Sequence, residues 1–260
     1  MRRFVVHHCL VITVPNGEHG GMSRLPVSSR LASRMACHQA LHDPLTEPRN
    51  GLRWLPELRR WQVQRLRGSF AAFLDDPQRR PAAEFFLEDV YGDRDFSGRD
   101  ADIARVLPMM QRLLPASLLE SVADAIELGA LTQVFDLRIA EALDVLAPRR
   151  RKLDGDLYGT AYREVGLPRL RGHQIGLISE VGRGFGQALS LPGVSALLAF
   201  SRGPARLAGL SDLQRFLERG YAAFDQLGDA DAFVAEIERH ERMASRRLFA
   251  SHPAPFALGN

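Results

Sequence analysis

The residues of this sequence best suited to chemistry are carboxylates and histidines spaced to share a helix face. His173 precedes Glu180 by seven residues, and Glu236 precedes His240 by four. Di-iron sites in helical bundles use Glu-x-x-His pairs, because a spacing of three projects both ligands inward. The sequence contains no Glu-x-x-His. Seven residues separate His173 from Glu180 by about 10.5 Å along a helix axis, so one ion would need further ligands from elsewhere.

Other carboxylates fall on apolar faces of predicted helices. At 100° per residue, Asp89 lies between Phe85 and Phe86. Glu84 and Glu88 point to the opposite side of the same helix. Glu127 likewise lies on an apolar face of the long predicted helix. A carboxylate on an apolar face must be paired, hydrogen-bonded or protonated, so Asp89 and Glu127 each have either a structural role, buried with a partner, or a functional one. An ion pair with one of the many arginines is the favoured interpretation, and a metal or catalytic role is the alternative.

The sequence assigns no catalytic residue and no cofactor, but five residues on or beside apolar helix faces are candidate metal ligands. For His173, ligation requires at least two more donors converging on its ring nitrogen from other helices. The favoured alternative is a partly buried imidazole hydrogen-bonded to a carbonyl or a carboxylate. The five candidates are Asp89, Glu127, His173, Glu180 and His240.

A glycine cluster at residues 182–188 (GRGFGQA) invites comparison with dinucleotide-binding loops. Such a loop requires G-x-G-x-x-G/A between a strand and a helix. The last position is Gln187 or Leu189 in the two possible frames, so neither frame matches. The cluster therefore predicts a helix end or a close helix crossing.

Two further features favour ordinary structural roles. The basic run at residues 149–152 follows a long predicted helix, whose C-terminus favours cations, and it is too short for a nucleic-acid groove. Tyr158 and Tyr162 are four residues apart and are expected to pack. Nothing matches Gly-x-Ser-x-Gly, a phosphate-binding loop or Cys-x-x-Cys, so the common hydrolase, nucleotidase and redox classes lack support.

Composition is that of an ordinary globular protein, with 45% hydrophobic and 25% charged residues in 260. A net charge of +3 from nearly balanced ions gives no broad positive field, so nucleic acid is not an expected partner. Two cysteines cannot form a disulfide framework or a four-thiolate zinc site, which favours a reducing, cytoplasmic location. No apolar run approaches the roughly 20 residues of a transmembrane helix.

The chain is predicted to form one all-α domain with a long central helix. Apolar residues recur at helical spacing from Leu58 onward, and no strand–helix alternation is present. About eight or nine helices are expected around a helix at residues 117–147. Residues 1–50 lack sustained periodicity and are predicted to be a disordered or mis-called tail, dispensable for stability. The domain is expected to span residues 51–252, followed by a C-terminal tail at residues 253–260.

Residues 85–92 (FFLEDVYG) and 95–100 (DFSGRD) resemble an uncharacterised group of bacterial, mainly proteobacterial, helical proteins. The resemblance covers roughly residues 58–250 and omits the N-terminal segment. It implies a single helical domain of unknown activity and carries over no catalytic residue. Further matching segments are residues 125–128, 158–166, 174–175, 181–182, 203–205 and 213–220.

Two classes of function remain open. The first is a non-catalytic helical binding or adaptor protein, whose apolar groove takes a partner helix or an apolar small molecule. The second is a helical, metal-dependent, di-iron-like oxidoreductase that uses core carboxylates with His173 or His240. Stoichiometric iron, manganese or zinc in the purified protein would favour the second class.

Overall fold

A computed structural model describes residues 27–90, 97–113, 116–189 and 191–257. These residues form eleven α-helices and no strand, which confirms the all-α prediction. A 3₁₀ turn at Pro48–Gly51 precedes α2, and a π-helical turn at Phe86–Val90 extends α4. The helices are α1 Val27–His42, α2 Trp54–Ser69, α3 Ala71–Asp75, α4 Arg80–Phe85, α5 Ser97–Leu113, α6 Ala116–Leu146, α7 Gly155–Val165, α8 Pro168–Leu189, α9 Val194–Leu207, α10 Ser211–Asp225 and α11 Ala230–Phe249.

Helix α6 is 31 residues long and lies at the centre of the fold. It has no internal proline and is apolar on several faces, so it can be buried on most sides. Its neighbours include α1, α2, α7 and α8. The long central helix of the sequence prediction is therefore present.

Two large apolar clusters meet on α6. Leu131 and Phe135 belong to a phenylalanine-rich cluster that also contains Phe233 of α11. Ile139 and Leu143, further along α6, belong to a second cluster with Trp54 and Tyr158. Helix α6 contributes to both clusters and is therefore held firmly in place. The polar residue Asp136 lies on α6 between Phe135 of the first cluster and Leu137 of the second.

Residues 27–50 are not a tail, which corrects the sequence prediction. Helix α1 buries Leu31, Met35 and Leu41 against α6 and its neighbours. The interspersed Ser, Arg and His residues hid this apolar stripe, because two of the arginines also dock on α6. Arg30 pairs with Glu120 at 3.2 Å. Residues 1–26 lie outside the described residues.

The predicted C-terminal tail is also partly docked. The Phe256 ring lies 5.8 Å from the Trp61 ring and 6.1 Å from the Tyr158 ring, centroid to centroid. The Arg65 guanidinium lies over the same Phe256 ring. Phe256 therefore packs on the second apolar cluster, so the predicted C-terminal tail is attached to the domain at this residue.

The helix count exceeds the prediction by two, among the described residues. One addition is α1, and the other is α3, which separates from α2 where Phe70 leaves helical geometry with ψ of 6°. Helix α8 does not end at the glycine cluster but continues through it to Leu189. No single described helix is both long and apolar enough to cross a membrane. Helices α8 and α9 would pass that test only together, and they are bent by 89° at the break.

The glycine cluster forms a close helix crossing within α8. A Cβ on Gly182 would lie 2.4 Å from Cγ1 of Val234 in α11, and one on Gly184 would lie 2.2 Å from Oγ of Ser121 in α6. Real Cβ atoms do not approach that closely. The glycines therefore let three helices approach one another, and no strand precedes them as a dinucleotide loop requires.

Candidate functional site

Glu127 is the most deeply buried of the candidate ligands, with 1% of its side chain exposed. Its carboxylate lies between an arginine and a histidine from different helices. Arg34 of α1 forms an ion pair with Oε2, and Nε2 of His173 in α8 lies 2.7 Å from Oε1. Arg34 also donates to Oδ1 of Asp124 at 2.9 Å. Glu127 is thus buried and paired with an arginine, as predicted.

His173 lies at the outer end of this arrangement, with 34% of its side chain exposed. The hydrogen bond to the Glu127 carboxylate raises the pKa of His173, and burial opposes that effect. The charge of Glu180 raises the pKa further, whereas Arg34 lowers it. His173 is therefore the partly buried, carboxylate-bonded imidazole that the sequence favours.

The other three candidates lie elsewhere. The carboxylate of Asp89 pairs with Arg219 at 2.9 Å, and Glu180 is exposed. The ring of His240 stacks against Phe73, with the centroids 6.1 Å apart. No group of three His, Cys, Asp or Glu residues within the described part of the chain could hold a metal ion. The structure therefore brings together two of the five candidates and no complete ligand set.

The face assignment around Asp89 is correct except at one position. Asp89 is buried and Glu84 is exposed, as predicted. Glu88, predicted to be exposed, is half-buried. Its Oε2 lies 3.0 Å from Nη2 of Arg219, the same arginine that pairs with Asp89. The turn at Phe86–Val90 is π-helical, so each residue advances by less than the assumed 100°. That wider turn brings Glu88 towards the side occupied by Asp89.

A buried polar cluster that no sequence pattern indicates surrounds Asp136 of α6. Gln62 of α2 donates to its Oδ1 at 3.1 Å, and Nε of Arg59 lies 3.8 Å from Oδ2. Burial raises the pKa of Asp136, while Arg59 and Arg171 oppose that rise. Phe135, beside it in sequence, stacks under the Arg171 guanidinium at 3.5 Å. These contacts join α2, α6 and α8, so Asp136 has a structural role in linking the helices.

A second missed feature is a cavity of about 350 Å³ between the C-terminal half of α6 and the end of α7. We call it the α6–α7 groove. Ala142, Val145, Leu146 and Val165 give it an apolar lining, and 78% of the Val145 surface is exposed. Arg138 lies at the end of this lining nearest the middle of α6. The groove therefore combines four apolar residues with Arg138 and two glutamates, Glu141 and Glu164.

Arg138 is distinct among the arginines of the described residues. It is the one partly buried arginine there that makes neither a hydrogen bond nor an ion pair, and its Nε is buried without a partner. Burial lowers its pKa, and the nearby charge of Arg49 lowers it further. Glu141 raises that pKa, but its carboxylate forms an ion pair with Arg49 at 3.3 Å. A partly buried guanidinium without an ion-pair partner favours the binding of an anion from outside the protein.

The basic run and the tyrosine pair have the structural roles expected of them. Residues 149–152 are exposed after α6, and Arg150 pairs with Asp154 at 2.6 Å. Tyr158 is buried, and the Tyr162 hydroxyl lies 2.8 Å from Oγ of Ser245. Burial raises the pKa of Tyr162 to about 12, so this phenol stays protonated at neutral pH.

Fold and site together define a single-domain, all-helical protein with a buried Arg–Glu–His cluster and an arginine-containing groove. The chain belongs to the family described as "Domain of unknown function (DUF8198)", whose model matches residues 41–255. That match begins inside the segment predicted to be a tail, at the end of α1. No curated protein and no solved structure matches the chain.

Proposed function

We propose that the protein is a non-catalytic binding protein and that the α6–α7 groove holds a small apolar ligand. The observation that carries this function is the groove itself, in which four apolar residues lie beside Arg138, an arginine without a hydrogen-bond or ion-pair partner, and two glutamates lie at the border. Ligand sites are typically mostly apolar concavities with a few polar groups that orient the ligand. The groove has both elements.

The size of the groove favours a small molecule over a partner helix. Its volume of about 350 Å³ lies near the lower end of ligand pockets, about 300–1,000 Å³. A partner α-helix with its side chains is about 10–12 Å across and would need a wider and larger groove than this one. Exposed Val145 and Leu146 provide apolar area that a bound ligand would remove from water.

Displacement of a neutral, solvent-sensitive dye such as Nile red by 1-octanol tests this function. Val145→Asp places a charge in the groove and is expected to weaken dye and octanol binding by about tenfold or more. Leu207→Asp is the matched control, because Leu207 is an exposed apolar residue on α9, outside the groove. Equal binding by wild type and Val145→Asp would contradict the proposed function.

The alternative of a metal-dependent oxidoreductase has one observation in its favour, the 2.7 Å contact between Glu127 and His173. A metal at that point would have to displace Arg34 from Glu127 and recruit further donors. Elemental analysis of the purified full chain tests this alternative. Stoichiometric iron, manganese or zinc that is lost in Glu127→Gln would support it over the binding function.

A further inference from the structure

The α6–α7 groove has a charged end and an apolar end. Arg138, Ala142 and Val145 recur at intervals of four and three residues, so they lie on one face of α6. Leu146 extends this face to the end of the helix. The span from residue 138 to residue 146 is about 12 Å at 1.5 Å per residue. A ligand lying along the groove would have its two ends in chemically different surroundings.

Among the charged residues that line the groove, Arg138 is the one that is partly buried and forms no ion pair. Arg49 is engaged by Glu47, whose Oε2 lies 2.7 Å from its Nη2, and by Glu141. Glu164 of α7 lines the groove but is exposed and forms no ion pair with Arg138. Two carboxylates therefore border the groove, and neither lies within ion-pair distance of the guanidinium, although the charge of Glu141 reaches it. Such a setting suits a ligand with a single negative charge, because a dianion would be repelled more strongly by both.

We propose that the ligand of the α6–α7 groove is a small monocarboxylate with an aliphatic or aromatic body. The Arg138 guanidinium binds the carboxylate, and the body lies along Ala142, Val145 and Leu146. This assignment rests on the proposed function. A guanidinium can donate two parallel hydrogen bonds to a carboxylate, which makes the pairing stronger than that of a neutral acceptor.

Titration of the full chain with octanoate and with 1-octanol tests the assignment, because the two probes share a chain and differ in charge. In wild type, octanoate is expected to bind about tenfold or more tightly than 1-octanol. Arg138→Gln should remove that preference by weakening octanoate alone. Arg138→Lys keeps the charge but not the paired donors, so it should restore part of the preference.

Two further variants separate Arg138 from its surroundings. Arg151→Gln removes an exposed positive charge outside the groove and should leave both affinities unchanged. Glu164→Gln removes a negative charge from the groove and should strengthen octanoate binding. Equal octanoate affinity in wild type and Arg138→Gln, with octanol also bound, would overturn the carboxylate assignment and leave the apolar site standing. Failure of both probes to bind would overturn the proposed function as well.

Discussion

Glu127 of α6 and His173 of α8 lie 46 residues apart in sequence and are joined by a 2.7 Å hydrogen bond between Oε1 and Nε2. The same carboxylate is ion-paired with Arg34 of α1. One buried carboxylate therefore links three helices, and the other two helices contribute the arginine and the histidine that offset its desolvation.

Removing the charge of Glu127 should destabilise the protein. In Glu127→Gln, Arg34 and His173 lose their common anion while the side-chain volume is kept. We expect the free energy of unfolding to fall by about 3 kcal/mol, as for a broken buried pair. Urea unfolding at pH 7 measures the change. The control is Glu120→Gln, which breaks an exposed pair with Arg30 and should cost less than about 1 kcal/mol. Equal losses in both variants would contradict this account.

The contribution of His173 to stability should depend on pH. Its folded-state pKa is raised above the ordinary value of 6.5 by Glu127. The stabilisation is therefore complete below the unfolded pKa and is lost as pH rises through the folded pKa. The stability difference between wild type and His173→Gln should shrink from pH 5.5 to pH 8.5 in urea unfolding. A difference that grows over this range would show that the imidazole binds in its neutral form.

Helix α1 should be an integral part of the fold. Leu41→Ala removes a fully buried side chain and should cost about 2–4 kcal/mol. Leu45→Ala, four residues later, is the matched control because 94% of Leu45 is exposed. Thermal and urea unfolding of both variants compare the two sites. A negligible effect of Leu41→Ala would restore the earlier prediction that the N-terminal 50 residues are dispensable.

The helix crossing at Gly182 predicts an asymmetry between two glycines. Gly182→Ala forces a methyl group towards Val234 and should destabilise by about 1–3 kcal/mol. Gly68→Ala in α2 meets no atom within 4 Å and should stabilise by about 0.5–1 kcal/mol, because alanine favours a helix. The double variant Gly182→Ala, Val234→Ala should recover part of the loss. Equal effects of the two glycine substitutions on the free energy of unfolding would argue against close packing at residue 182.

The central helices could be predicted because their signals are local. Helix α6 is apolar on several faces and proline-free, and the flanks of Glu127 are apolar, so both its burial and its need for a partner follow from the sequence. Helix α1 was missed because Arg34, on its polar side, also faces the protein interior. Period-based reasoning assigns such a residue to solvent.

The partners of the candidate residues could not be predicted from the sequence. The contact of Glu127 with His173 depends on how α8 crosses α6, which the glycines permit but do not specify. The α6–α7 groove depends on how α7 packs against α6 across the connection at residues 147–154, which no local pattern specifies. No sequence motif marks Arg138 among the many arginines, and only its surroundings in the fold distinguish it from them. The cytoplasmic location and the bacterial origin stay predictions.

The most direct test of the central claim is to map where octanoate binds, by ¹H–¹⁵N NMR of the full chain. The proposed function and the carboxylate assignment together predict saturable shift changes centred on residues 138–146 and 164–167. These changes should be much reduced in Arg138→Gln. Changes centred on the other exposed apolar residues, Leu191, Phe200 and Leu207, or no saturable change at all, would contradict binding in the α6–α7 groove.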